Sequence, residues 1–232
     1  MSSLIRIDRR RLGFVLPLLM LMTMIGCNAL PNWGPFREVP DRLPGMATPA
    51  EKMAALRKLA KDAGARNAEE KQQVVHDLTK AIREEADGMI RAEIINTLAH
   101  YPAPASDQVL RAALDDPDPD VRLAACKAWA YRGSPEAIEL LAAAAKKDQD
   151  KDVRLAAVRA LGRSKSPAAV SALGGLLDDG DPAVRYATIG SLRQVTGQDF
   201  GDQVEPWRQY VRGEGPPAVK APSLAERWRN MF

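Results

Sequence analysis

Asp118-Pro119-Asp120-Val121-Arg122 decides the fold, because the segment returns along the chain. Ile90-Arg91, Val121-Arg122, Val153-Arg154 and Val184-Arg185 carry the same apolar-arginine pair, with arginines spaced by 31, 32 and 31 residues. Four residues before each arginine stands an aspartate: Asp87, Asp118, Asp150 and Asp181, the second and fourth followed by Pro119 and Pro182. A carboxylate there accepts bonds from the free amides of a helix's first turn, and proline at the next position forfeits no useful bond. Each aspartate therefore starts a helix, and self-similarity at this period marks a stacked-repeat architecture.

Working outward, Leu98, Trp129, Leu161 and Leu192 follow the four apolar anchors by eight residues, with Ala124, Ala156 and Ala187 on the same face. That spacing predicts the core stripe of the first helix of each unit. Ser134-Pro135-Glu136 and Ser166-Pro167 are cap-and-proline starts of a second helix, leading to Ile138, Leu141 and Ala144 and to Val170, Leu173 and Leu176; Leu110 and Ala113 occupy the matching places one unit earlier. Each unit is thus a helical hairpin. Upstream, Thr48-Pro49-Ala50-Glu51 forms a capping box that opens a divergent first pair. Downstream, Thr196 to Arg212, with Phe200, Trp207 and Tyr210, closes the stack, since terminal repeats must meet water on one side.

These residues, an Asp-Pro-x-Val-Arg motif with an alanine-rich first helix and a shorter second, resemble HEAT-like repeats over 87–195, including the type found in the phycocyanobilin lyase family. The resemblance implies an all-α fold, an α-solenoid of about five helical hairpins, occupying residues 49–212. It also implies that the arginine row Arg91, Arg122, Arg154 and Arg185 bonds to aspartates and carbonyls along the stack. Second helices would line the concave face, with Gln108, Arg111, Glu139 and Ser171 the expected partner-binding residues. Ala112, Ala142, Ala143, Gly174 and Gly175 complete that outward, weakly charged surface.

The amino terminus reads differently. Met1 to Arg11 is basic, Leu12 to Ile25 is an uncharged apolar run of fourteen residues, and Gly26-Cys27 follows, so 1–26 reads as a secretory signal. Met24-Ile25-Gly26-Cys27 resembles the lipobox of bacterial lipoproteins, which makes Cys27 the expected lipid attachment point. Residues 27–48, with Pro31, Pro35, Pro40 and Pro44, read as a tether. Residues 213–232 read as a linker and a short helix beginning at Ser223. The expected location is a bacterial membrane, with the stack facing the periplasm or the cell exterior.

Charge and chemistry narrow the function. Of 33 basic residues four lie in the signal, and of 30 acidic residues one does, leaving 29 of each; a neutral chain has no overall attraction for nucleic acid. His76 and His100 lack ligands at metal-binding spacing. Gly174-Gly175 falls inside a predicted helix without a following lysine and makes no phosphate loop. Cys126 shares its repeat position with Ile95, Val158 and Ile189 and reads as a packing residue. No cofactor, metal or small-molecule substrate is expected. The sequence favours a membrane-anchored, non-catalytic scaffold for protein partners in the cell envelope, and therefore no enzyme. A bilin lyase or isomerase-like enzyme and a self-associating structural protein are the alternatives.

Overall fold

The structure, a computed structural model, describes residues 47–164 and 166–214. The signal segment, Cys27, most of the tether and the helix expected at Ser223 lie outside the described residues. Within these residues ten α-helices follow one another: α1 Pro49–Asp62, α2 Ala68–Glu84, α3 Gly88–Leu98, α4 Pro104–Ala112, α5 Pro119–Arg132, α6 Pro135–Lys147, α7 Lys151–Arg163, α8 Pro167–Gly174, α9 Pro182–Thr196 and α10 Val204–Val211. Two short 3₁₀ turns extend α1 and α4, and among the described residues there is no strand. The ten helices form the five hairpins that the repeat predicts.

Helix starts are where the side-chain chemistry puts them. Thr48 and Asn67 make reciprocal capping boxes with Glu51 and Glu70. At the repeat positions, the amides of Met89, Asp120, Asp152 and Ala183 donate to Asp87, Asp118, Asp150 and Asp181. Two helices end on a glycine in the left-handed region, Gly133 at φ 62° and Gly197 at φ 69°, where other residues would be strained. One end departs from the sequence expectation. α8 stops at Gly174 with Gly175 as its cap, so the Gly-Gly pair terminates a helix and does not sit inside one; two glycines lower the helix propensity enough to end it there.

The odd-numbered helices pack each on the next from α1 to α9 and form one layer; the even-numbered helices cover one side of it in a looser layer. Side-chain size explains the difference. Ala125, Ala128, Ala157 and Ala160 bring α5 and α7 close to their neighbours, and at Gly162 even a Cβ would stand 2.8 Å from the Cα of Ser191. Between α4 and α6, by contrast, a groove of about 350 Å³ remains, lined by Arg111, Leu140, Ala144 and Lys147 among others. The odd helices are thus the more closely packed of the two layers.

The core lies between the layers. Leu98, Trp129, Leu161 and Leu192 are at most 1% exposed, as the eight-residue offset predicts. Ala156 and Ala187, expected beside them, are only half-buried, because the fully buried alanines are one position later, at Ala125 and Ala157. Two hydroxyls at equivalent repeat positions lie between odd helices: Ser191 donates to the Val158 carbonyl at 3.0 Å, and Thr97 sits 2.8 Å from the Glu93 carbonyl of its own helix and 3.2 Å from the Leu56 carbonyl of the neighbouring one. At the carboxyl end of the stack, Phe200 meets Trp207 and Tyr210 at ring distances of 4.9 and 5.1 Å, and Trp207 donates its indole N–H to the Gly201 carbonyl. That aromatic cluster seats α10 as the closing helix.

Candidate binding surface

The arginine row is structural. Arg91 holds Asp116 of the next repeat through Nε and Nη2 at 3.0 and 2.8 Å, and donates Nη1 to the Ala86 carbonyl. Arg122 repeats this on Asp148 at 2.9 and 3.0 Å, with Nη1 on the Asp116 carbonyl. In the first unit Lys52 does the same work for Glu85 at 2.8 Å. The ladder weakens toward the carboxyl end, where Arg154 is 3.5 Å from Asp181 and Arg185 contacts only the carbonyls of Asp179 and Gly180. Burial pushes the Asp116 carboxyl up, but bonds from Arg91 and from the Asp118 amide outweigh it and leave the group below its usual range. A carboxylate spent in this way is joinery between repeats.

Cys126 is fully buried, and burial pushes its thiol up to about 12, so it presents no thiolate at neutral pH. His76 is exposed on α2, and His100 meets Tyr131 with ring centroids 4.6 Å apart and planes tilted by 54°. No group of metal-ligating side chains forms among the described residues.

The four residues expected on the second helices, Gln108, Arg111, Glu139 and Ser171, are all exposed there. Arg111 is paired with Glu136. Gly174, expected to face outward beside Ser171, lies under Val211 of α10, whose nearest methyl would stand 2.4 Å from an added Cβ.

The solvent side of the odd helices is different in kind. Met89 at 65%, Tyr131 at 64% and Tyr186 at 68% are exposed large apolar side chains, and they lie on α3, α5 and α9. Repeat-equivalent residues are neighbours across this face, as the His100–Tyr131 contact shows. Four rows therefore cross it. Asp120 and Asp152, with Met89 in the equivalent place, stand at the helix starts; the half-buried Leu123 and Leu155 and the exposed Tyr186 form the next row. Lys127 and Arg159 follow, and Tyr131 and Arg163 lie near the helix ends. Lys127, Arg159 and Arg163 are exposed and have no ion pair among the described residues. Sequence reasoning passed over this surface, although its signal was present: an apolar row four residues ahead of a basic one, recurring at the repeat interval.

Comparison with known proteins agrees with the geometry. A family model described as HEAT repeats matches residues 75–157 and 141–208, together more than half of the 232 residues. No curated protein matches the sequence. Among solved structures, the chain is similar to one in the complex of CpcE and CpcF of phycocyanin lyase from Nostoc sp. PCC7120. The two share 20% identity with a TM-score of 0.44, and the match covers 68% of this chain and 96% of the other. The expectation that the chain is not an enzyme is corrected by this finding: a similar stack occurs in a lyase, and the expectation no longer stands.

Proposed function

The chain belongs to the HEAT-repeat family, and on that premise we propose that it is a protein-interaction scaffold whose partner lies across the odd-helix face. The observation that carries this reading is the placement of Met89, Tyr131 and Tyr186, the exposed large apolar side chains of the described residues, on that one face. Tyrosine, methionine and arginine, all exposed on that face, are residue types enriched at protein interfaces. The small and paired side chains of the even helices offer less to hold.

The proposal includes an anchor. Export by residues 1–26 and lipidation at Cys27 would set the stack on a membrane of the cell envelope, with 28–48 as a tether, facing the periplasm or exterior. This part rests on the sequence pattern. Cys27→Ser releases the protein to the soluble fraction and removes the mass of the lipid; unchanged retention and mass would sink the anchor while leaving the scaffold intact.

The scaffold itself is tested by cross-linking in intact cells and affinity recovery of the full chain. A dominant partner, lost on Tyr131→Ala with Tyr186→Ala and retained when Gln108, Arg111, Glu139 and Ser171 are all changed to alanine, supports it. The reverse dependence moves the partner to the even helices, and recovery of the chain linked only to itself favours a self-associating structural protein.

A second reading is an activity of the bilin lyase or isomerase kind, carried by the likeness of the Asp-Pro-x-Val-Arg units to repeats of that family. A pigment that stays with the protein through purification, or added bilin that becomes bound, supports this reading; a colourless protein that takes up no bilin ends it.

A further inference from the structure

We infer that the odd-helix face takes an amphipathic helix with an acidic stripe beside an apolar one, lying along the stack axis; this rests on the scaffold reading above. The four rows are ordered across the face, acidic at the helix starts, apolar next, and basic from the middle to the helix ends. Lys127, Arg159 and Arg163 are not consumed within the fold. Arg91 and Arg122 on the same helices are spent on Asp116 and Asp148. Three unpaired cations beside Leu123, Leu155 and Tyr186 match a segment whose carboxylates border its own apolar stripe.

Two further observations favour protein over nucleic acid or an anionic membrane. Asp120 and Asp152 are exposed on the same face and repel phosphates laid across it, whereas a helix can meet them with a basic or neutral edge. The apolar row runs across the odd helices, from Leu123 through Leu155 to Tyr186, a geometry suited to a continuous helical ridge. Crossing from α5 to α9 at typical interhelix spacings of about 9 Å spans roughly 18 Å, the length of a helix of about 12 residues.

The test measures binding of two labelled synthetic peptides to the full protein by fluorescence anisotropy. One is helix-forming, with glutamates bordering a leucine stripe; the other has glutamine in place of each glutamate. The glutamate peptide is expected to bind more tightly, less so as salt rises. Lys127→Gln, Arg159→Gln and Arg163→Gln are each expected to weaken it by up to about fivefold, and Asp120→Asn is expected not to. Equal binding of both peptides, or of neither, overturns the acidic partner. So does binding of single-stranded RNA or of phosphatidylglycerol vesicles that is lost with the same three cations. The scaffold reading fails on a different result, a cellular partner indifferent to Tyr131 and Tyr186.

Discussion

Arg122 reaches out of its own repeat and holds Asp148 of the next with two parallel bonds of 2.9 and 3.0 Å. The same guanidinium caps the turn before its own helix through the Asp116 carbonyl. One side chain thus fixes both the turn and the register between neighbours. Each side chain of the pair is at most 15% exposed. Arg122→Ala is expected to destabilise the stack by about 2–3 kcal/mol, below the range for a fully buried pair because solvent still reaches it. Arg122→Lys recovers only part of that, since an ammonium cannot make two parallel bonds. Urea denaturation of single and double variants with Asp148→Ala checks this; additive losses would mean that the two residues act independently.

The acid limb of stability follows from the same joints. Asp116 and Glu85 both titrate below the usual carboxylate range, Asp116 through Arg91 and the Asp118 amide against the opposing effect of burial, Glu85 chiefly through Lys52. A depressed folded value means that the stabilisation is fully present above about pH 4, the unfolded range, and is lost as pH falls through the lower folded value. Thermal melts taken downward from neutral pH should show this loss, and Asp116→Asn should flatten it. An unchanged acid profile in that variant would contradict the assignment.

Gly162 is required by contact, not by backbone conformation. Gly162→Ala places a methyl 2.8 Å from the Cα of Ser191 and is expected to destabilise by about 1–3 kcal/mol. Because part of the clash is with backbone, Ser191→Ala should not rescue it. Full rescue would show that the Ser191 hydroxyl alone sets the spacing of α7 and α9.

Cys126 should be silent to thiol reagents in the folded protein. It is fully buried, with its thiol pushed up to about 12, so labelling must wait for local opening. The rate measured with a chromogenic disulfide should rise together with unfolding in urea. Fast labelling without denaturant would place the thiol at the surface.

The layers, caps and core were legible in the sequence because each depends on spacing along a single helix. Asp118 and Asp181 announce their helices, and Trp129 and Leu161 announce the buried stripe. Which layer packs more tightly was not legible. It depends on how closely neighbouring helices approach, which Gly162, Ala128 and Ala160 set jointly with side chains some 30 residues away. The acceptors of the arginine row, Asp116 and Asp148, were also missed as individuals. They sit in turns, where an aspartate's local role resembles that of any capping residue. The odd-helix face was obscured for a related reason: Leu123 and Leu155 pack partly against the core, and only the fold shows that the rest of each meets solvent.

The placement of the partner is tested most directly by photo-cross-linking in intact cells from a benzophenone side chain inserted at Tyr131 or, separately, at Ser171. A protein adduct formed from position 131 and absent from 171 is expected if the partner lies on the odd helices. An adduct from 171 alone would contradict that placement and return the binding surface to the second helices.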